Sequence, residues 1–191
     1  MGLCSSSLIE GVLMVDNPLD DKKKRPQPQT KEALRTMIEK YCEGKMSHGE
    51  PNTWDVTRVT DMSSLFKKME TFNAPIDQWN TSEVTNMAYM FFRASSFNQP
   101  IKMDTSKVTN MSSMFGAASS FNQPITMDTS QVTNMRLMFA YASSFNQPIT
   151  MDTSKVTSMM SMFEGADAMT HSLVVRHFFG DTHFFMSVVG Q

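Results

Sequence analysis

Residues 103–126 read MDTSKVTNMSSMFGAASSFNQPIT, and residues 127–150 read MDTSQVTNMRLMFAYASSFNQPIT. Earlier copies of this phrase begin at Trp54 and Trp79, and a last copy begins at Met151, so successive start points are 25, 24, 24 and 24 residues apart. A fixed period of this length is typical of a solenoid, in which each unit is too small to fold alone and buries its apolar face on its neighbours. Such an array usually presents a surface that holds a partner, and it seldom encloses a pocket for chemistry.

The composition of the chain narrows the classes of function. Its 191 residues are enough for one domain with a tail or two, and the formal net charge of −2 gives no electrostatic reason to expect nucleic acid as a partner. Cys4 and Cys42 are too few for a disulfide framework. The 20 methionines and 14 phenylalanines instead predict a core of flexible thioethers and rings, which tolerate imperfect stacking.

Two apolar periodicities alternate within each repeat. Met87, Met90, Phe91 and Ala94 are spaced i, i+3, i+4, i+7, which predicts one or two helical turns, and later copies keep this spacing. Residues 124–127 contain alternating apolar residues, as a short strand does. Each unit is therefore predicted to consist of a short strand, a Thr/Ser turn and a short helix, with the strands stacked in a parallel sheet along one face.

The chain divides into four predicted segments. They are a disordered N-terminal arm at 1–29, a capping helix and connector at 30–53, the repeat solenoid at 54–169, and a divergent apolar tail at 170–191. Thr30 is a candidate N-cap and Gly44 a stop signal, so we expect a helix over residues 31–43 that covers the open end of the first repeat. A helix that binds a partner is the alternative. The tail is either a C-terminal cap or a truncated array, and a homodimer through its apolar residues is a further hypothesis.

The first residues of the chain predict lipid attachment. Gly2 followed by Ser6 fits the myristoylation pattern, and Cys4 lies where a palmitoyl chain is commonly added. One myristoyl chain binds membranes only weakly, so Cys4 or a nearby basic run would complete the anchor. The basic residues are Lys22, Lys23, Lys24 and Arg25. We therefore expect a location at the cytoplasmic face of a membrane, with the cell surface or the soluble cytoplasm as alternatives.

Stacking of the repeats would bring equivalent residues of successive copies into columns. The apolar columns, expected in the core, are Val84, Val108, Val132 and Val156, and Phe97, Phe121 and Phe145. The polar columns are Asn98, Asn122 and Asn146; Thr85, Thr109, Thr133 and Thr157; and Asp104, Asp128 and Asp152. The amides and hydroxyls are predicted to pair with turn backbone and with one another. The carboxylates are predicted to cap the turns that follow them, with Ca²⁺ binding as a lesser alternative.

The repeat opens with Trp-Asp-Val-Thr or Trp-Asn-Thr-Ser, continues with Val-Thr-Asn-Met and ends with Phe-Asn-Gln-Pro-Ile. Over about residues 31–169 it resembles the BspA-like leucine-rich repeats, and more closely the subfamily first catalogued as a mycoplasma domain of unknown function. Met103, Met127 and Met151 depart from the family pattern where Trp54 and Trp79 match it. The resemblance implies an α/β, leucine-rich-repeat-like solenoid, often found in bacterial surface proteins that include adhesins, and it brings no catalytic residues.

These patterns favour a non-enzymatic scaffold for protein–protein interaction, tethered to a membrane by acylation. The sequence contains no Gly-rich phosphate loop, nucleophile elbow or metal-spaced Cys/His set, so no catalytic residue, metal site or cofactor is predicted. Positions that vary between copies are candidate contacts for an unknown protein partner, because the fold does not dictate them. The candidates are Tyr89, Arg136, Leu137 and Tyr141. The alternative is an extracellular or surface adhesion protein of the BspA-like type.

Overall fold

The structure is a computed structural model that describes residues 25–45 and 47–169. Within that part of the chain the regular elements are helix α1, Lys31–Cys42, and a three-residue 3₁₀ turn, Pro51–Thr53. The five copies of the repeat follow and stack on one another in register, joined by isolated parallel bridges at the position of Asn86, Asn110 and Asn134. The stack is therefore held by bonds between copies, with little regular secondary structure inside each copy.

Alternating backbone N–H groups join one copy to the next. In the third copy these donors are Met111, Ser113, Phe115 and Ala117, which bond the carbonyls of Asn134, Arg136, Met138 and Ala140 at 2.9, 2.8, 2.8 and 2.7 Å. The N–H groups of Met114, Gly116 and Ala118 instead bond the carbonyl three residues earlier, at 3.2, 3.1 and 3.0 Å. Every second residue thus closes a tight turn while its neighbours hold the adjacent copy.

Positive φ angles make this alternation geometrically feasible. Ser113 and Ala117 have φ values of 51° and 55°, and each is the third residue of a tight turn, the position that has positive φ in type II turns. The same two positions have positive φ in every copy, including Tyr89, Leu137 and Tyr141. A residue in the left-handed region at every fourth position directs the next N–H group along the stack. This backbone conformation is incompatible with a continuous α-helix.

The predicted α/β, leucine-rich-repeat-like solenoid of strand–turn–short-helix units is wrong in this respect. The described residues contain no helix within a repeat and no sheet, only single parallel bridges between copies. The apolar residues at i, i+3, i+4 and i+7 are all fully buried, as expected: Met87, Met90, Phe91 and Ala94. A chain of tight turns, not a helix, produces this burial pattern. At residues 124–127 exposed and buried side chains alternate as expected, but Pro124 has no N–H with which to extend a strand ladder.

The core consists of the expected apolar columns, continued by stacked rings. Val84, Val108 and Val132 are buried, whereas Val156 in the last copy is half-buried. Two phenylalanine columns run the length of the stack, with successive ring centroids 5.0–5.5 Å apart in the first and 5.9–6.1 Å apart in the second. Rings of the two columns also stack within a copy, such as Phe115 on Phe121 at 4.2 Å. Within the stack, Phe91, Phe97, Phe115, Phe121 and Phe139 each pack on three other rings, and offset stacking adds to the gain from burial.

Polar columns add the predicted bonds between copies. The Asn98 side-chain oxygen accepts the backbone N–H of Asn122 at 3.0 Å and the Gln123 amide at 3.0 Å. The Thr109 N–H and hydroxyl both donate to the carbonyl of Thr85, at 3.0 and 3.3 Å. The prediction that these amides and hydroxyls pair with backbone is confirmed, and the acceptors lie in the neighbouring copy.

Helix α1 covers the first copy. Thr30 caps it by accepting the Ala33 N–H at 3.1 Å, as expected, and Gly44 follows its end with a φ of 76°. Its residues Leu34, Met37 and Ile38 are buried against the core. The helix therefore buries the apolar end that the first copy would otherwise expose.

Arg35 replaces the donors of a preceding copy. Its guanidinium donates to the carbonyls of Ser64, Leu65 and Lys67 at 2.7, 3.1 and 3.4 Å. Leu65 and Lys67 are equivalent to Met90 and Phe92, whose carbonyls accept N–H groups from the copy before them. A single side chain thus supplies donors to the open end of the backbone ladder.

The last residues of the segment predicted as an arm, 1–29, contact the first copy. The Pro26 carbonyl accepts the Asp55 N–H at 3.0 Å, Gln27 donates to the Asp55 carboxylate at 2.6 Å, and Pro28 is buried. Residues 26–28 therefore pack on the first copy. The Pro26 carbonyl thus provides an acceptor for the Asp55 N–H at the start of the first copy.

Several predictions fall outside the described residues. They concern Gly2, Cys4, Lys22, Lys23 and Lys24, and the tail at 170–191. Arg25, the last residue of the basic run, is described and exposed. Among the described residues, no helix has the length and apolar character required to cross a bilayer.

Replacing Arg35 with methionine should destabilise the array, because it keeps the aliphatic stem but removes every donor to the three carbonyls. We expect the free energy of unfolding to fall by about 1–3 kcal/mol in urea titrations followed by circular dichroism. Glu39→Gln is the matched control, since it removes only the exposed 3.0 Å ion pair between Arg35 and Glu39. Equal stabilities for the two variants would contradict the capping role of Arg35.

Candidate functional site

One face of the stack displays the residues that differ most between copies. This face, here called the turn face, comprises residues 62–68, 87–93, 111–117, 135–141 and 159–165. In each copy the first, fourth and fifth of these seven residues are buried in the core, and the third and seventh have positive φ. Tyr89 is 39% exposed and Tyr141 is 56% exposed, although tyrosine is rarely found in the left-handed region.

A groove crosses the turn face over the second, third and fourth copies. It has a volume of about 260 Å³. Its lining residues are Phe92, Arg93, Ser113, Gly116, Ala117, Leu137, Ala140 and Tyr141. The third copy supplies the small residues of the floor, while the second and fourth copies supply larger side chains as walls. The groove therefore results from one copy with small residues between two copies with bulky residues.

Close packing on small residues holds the groove walls in place. The Phe92 ring lies over Gly116, where an added Cβ would be 2.9 Å from a ring carbon. The Tyr141 ring lies over Gly165 in the same way, and its hydroxyl donates to the Glu164 carboxylate at 2.6 Å. That hydrogen bond raises the pKa of Tyr141 above its usual value and lowers the pKa of Glu164. Both walls are thus positioned before any ligand arrives.

Cations and rings cluster beside the wall formed by the second copy. The Lys67 ammonium lies 5.1 Å from the centroid of the Tyr89 ring and 5.7 Å from that of Phe92. The Arg93 guanidinium lies 5.4 Å from the Phe92 centroid, and the Tyr89 and Phe92 rings meet edge to face at 5.7 Å. Cation–ring contacts at these distances are attractive, so they hold Lys67 and Arg93 beside the Phe92 ring that lines the groove.

The four predicted contact residues all lie on the turn face, in different relations to the groove. Leu137 and Tyr141 line it. Tyr89 packs against the outer side of Phe92, and Arg136 is exposed outside the lining, with its N–H bonded to the Asn134 side chain at 3.0 Å. The sequence analysis missed Phe92, Arg93 and Gly116. Their signal was present in the alignment of copies, since Phe92 and Arg93 occupy the columns of Gly116 and Ala117.

A second column of residues that vary between copies lies on a different face, and its side chains bond one another between neighbouring copies. Lys107 forms a 2.7 Å ion pair with Glu83 of the preceding copy, and Lys155 donates to Gln131 at 2.7 Å. These exposed pairs join successive copies and contribute little to stability. Their partners also leave them less available to a ligand than the groove residues are.

The aspartate column caps turns as predicted. The Asp104, Asp128 and Asp152 carboxylates each accept the backbone N–H two residues later, at 3.0, 2.9 and 2.9 Å. The hydrogen bond from the Ser106 hydroxyl lowers the pKa of Asp104; that from the Ser130 backbone N–H lowers the pKa of Asp128 despite opposing repulsion by Asp104 and Asp152. For the Ca²⁺ alternative, the described residues offer no group of three or more His, Cys, Asp or Glu able to hold a metal ion.

A depression of about 280 Å³ lies where α1 meets the first copy. Its lining residues are Glu39, Cys42, Glu43, Lys68, Met69, Glu70 and Thr71. Three carboxylate side chains line this depression. None of the four predicted contact residues lines it. The groove on the turn face is therefore the stronger candidate site.

Comparison with known proteins identifies one related family. A family described as "Mycoplasma protein of unknown function, DUF285" matches residues 32–127 and, in a second overlapping match, residues 102–178. Together the two matches include α1 and every copy of the repeat. No curated protein and no solved structure matches the chain.

Proposed function

We propose that this chain, which belongs to the DUF285 family of mycoplasma-type proteins of unknown function, is a non-enzymatic protein–protein interaction module. Its binding surface is the turn face, and the groove at its centre receives part of a protein partner. The family match is consistent with an interaction or surface role and assigns no activity to any residue.

The groove is the observation that carries this proposal. Most of the stack repeats one pattern of buried rings and backbone bonds, which specifies the fold and leaves the outward positions unconstrained. At those positions the second and fourth copies have Arg93, Leu137 and Tyr141, where the third copy has Ser113 and Ala117. Bulky side chains at positions whose identity the fold leaves free, around a groove whose walls are already held in place, favour a binding site.

Membrane attachment is the second part of the proposal. Gly2 and Cys4 would be acylated, and Lys22, Lys23, Lys24 and Arg25 would add attraction to an anionic leaflet. The interaction module would then be held at the cytoplasmic face of a membrane. Such a tether restricts the search for a partner to the membrane surface, which raises the effective concentration of both proteins there.

Surface adhesion of the BspA-like type is the alternative function. The similarity of the repeat phrase to BspA-like repeats favours it. Asn80-Thr81-Ser82 is a glycosylation sequon, and Asn80 is exposed. A glycan on Asn80 in protein isolated from its own cells would support this alternative, because an acylated cytoplasmic protein does not acquire one.

The interaction surface can be tested by photo-crosslinking in the protein's own cells. We would place p-benzoylphenylalanine at Tyr89, an exposed aromatic residue of the turn face outside the groove lining, and at Thr126, an exposed position outside the turn face. The account predicts a discrete crosslinked adduct from Tyr89 and little from Thr126. Adducts of equal yield from the two positions, or adducts from Thr126 alone, would contradict the assignment of the turn face.

Acylation can be tested by intact-mass spectrometry and membrane fractionation. We expect loss of Met1 with a myristoyl adduct on the native protein, and release of a Gly2→Ala variant to the soluble fraction. Ser5→Ala is the control, because it changes a neighbouring residue and leaves Gly2 and Ser6 of the motif intact. An unmodified N-terminus on the membrane-associated protein would refute the tether while leaving the binding surface untested by that result.

A further inference from the structure

The size of the groove limits what it can hold. Pockets that enclose small-molecule ligands usually have volumes of about 300–1,000 Å³. The groove is smaller, at about 260 Å³, and it is open to solvent along the turn face. Its floor of Ser113, Gly116 and Ala117 and its walls of Phe92 and Leu137 are largely apolar. It therefore fits one or two apolar side chains of a longer ligand better than a whole metabolite.

The charge around the groove is one-sided. The turn face carries four cations, Lys67, Lys68, Arg93 and Arg136, and one carboxylate, Glu164. Within the described part of the chain, none of these four cations forms an ion pair, although Lys31, Lys102 and Lys107 on other faces each have a carboxylate within 4.0 Å. Glu164 is already hydrogen-bonded to Tyr141. The turn face thus offers cations and lacks the carboxylates that would neutralise them.

The cations are also held in place around the apolar surface. Arg93 and Lys67 lie over the Phe92 ring, which forms one wall of the groove. Lys68, one copy away in the same column as Arg93, instead lines the depression that contains Glu39, Glu43 and Glu70. A ligand whose apolar side chain enters the groove would therefore have its neighbouring residues beside Arg93 and Lys67.

We propose that the groove binds an acidic peptide segment of a protein partner, with an apolar side chain on the floor and flanking carboxylates on Arg93 and Lys67. Buried apolar contact would supply most of the affinity, and the charges would select the acidic sequence and speed its association. This inference rests on the proposed interaction function and specifies the chemistry of its ligand.

Selection from a random dodecapeptide display library on the immobilised full chain tests the inference. We expect enriched peptides to contain Asp or Glu on both sides of an apolar residue. Their synthetic versions should bind several-fold more weakly as NaCl is raised from about 50 to 300 mM, because the charges are exposed. An enriched set without acidic residues, or no enrichment over the starting library, would overturn the proposal.

Two variants separate the apolar and charged contributions. Ala117→Tyr fills the groove. The fourth copy has tyrosine in the same column, so the backbone can accept this residue. Arg93→Glu reverses a charge beside the groove. Each should weaken the selected peptides at least tenfold in fluorescence anisotropy. Lys155→Glu makes the same charge change away from the turn face and should alter affinity less than twofold. Unchanged binding by Ala117→Tyr, with its fold verified by circular dichroism, would contradict the groove as the site.

The outcome separates this proposal from the interaction function. Crosslinks from Tyr89 combined with peptides that are not acidic would reject the ligand class and retain the binding surface. Crosslinks that avoid the turn face would reject the binding surface itself.

Discussion

The alternation of backbone hydrogen bonds is the constraint on which the structure depends. In the third copy the N–H groups of Met111, Ser113, Phe115 and Ala117 bond the next copy, and those of Met114, Gly116 and Ala118 close tight turns. This division fixes the register of the stack, because a slip of one residue would exchange the two sets of donors. It also requires positive φ at two positions per copy. The same geometry therefore aligns the ring columns in the core and directs the variable side chains outward.

The open ends of such a ladder need partners, and α1 shows how the sequence meets that need at the first copy. Arg35 supplies donors to the carbonyls of Leu65 and Lys67, while Leu34 and Ile38 cover the first rings. One charged side chain and a small apolar patch therefore cap the first copy. A buried carbonyl without a donor would cost about 1–3 kcal/mol, so a short helix is sufficient to end the stack.

The sequence predicted the arrangement of side chains better than the path of the backbone. The buried columns, the N-cap at Thr30 and the asparagine ladder follow from residue type and period, which bear directly on burial and hydrogen bonding. The strand and helix assignments failed because burial at i, i+3, i+4, i+7 does not distinguish a helix from consecutive turns. Nor did the presence of Tyr89 or Leu137 suggest positive φ, since glycine is the usual residue there. The groove depends on differences among three neighbouring copies, so no single copy predicts it. Phe92, Arg93 and Gly116 belong to it only because the third copy has small residues where the second has large ones.

Hydrogen-bond scalar couplings in the ¹⁵N,¹³C-labelled full chain test the backbone alternation most directly. The account predicts couplings from the N–H groups of Met111, Ser113, Phe115 and Ala117 to the carbonyls of Asn134, Arg136, Met138 and Ala140, one copy away. A short helix in the third copy would instead couple Phe115 to Met111, four residues earlier. Couplings of that second kind through residues 111–118 would contradict the structure described above, and the groove argued from it would lose its basis.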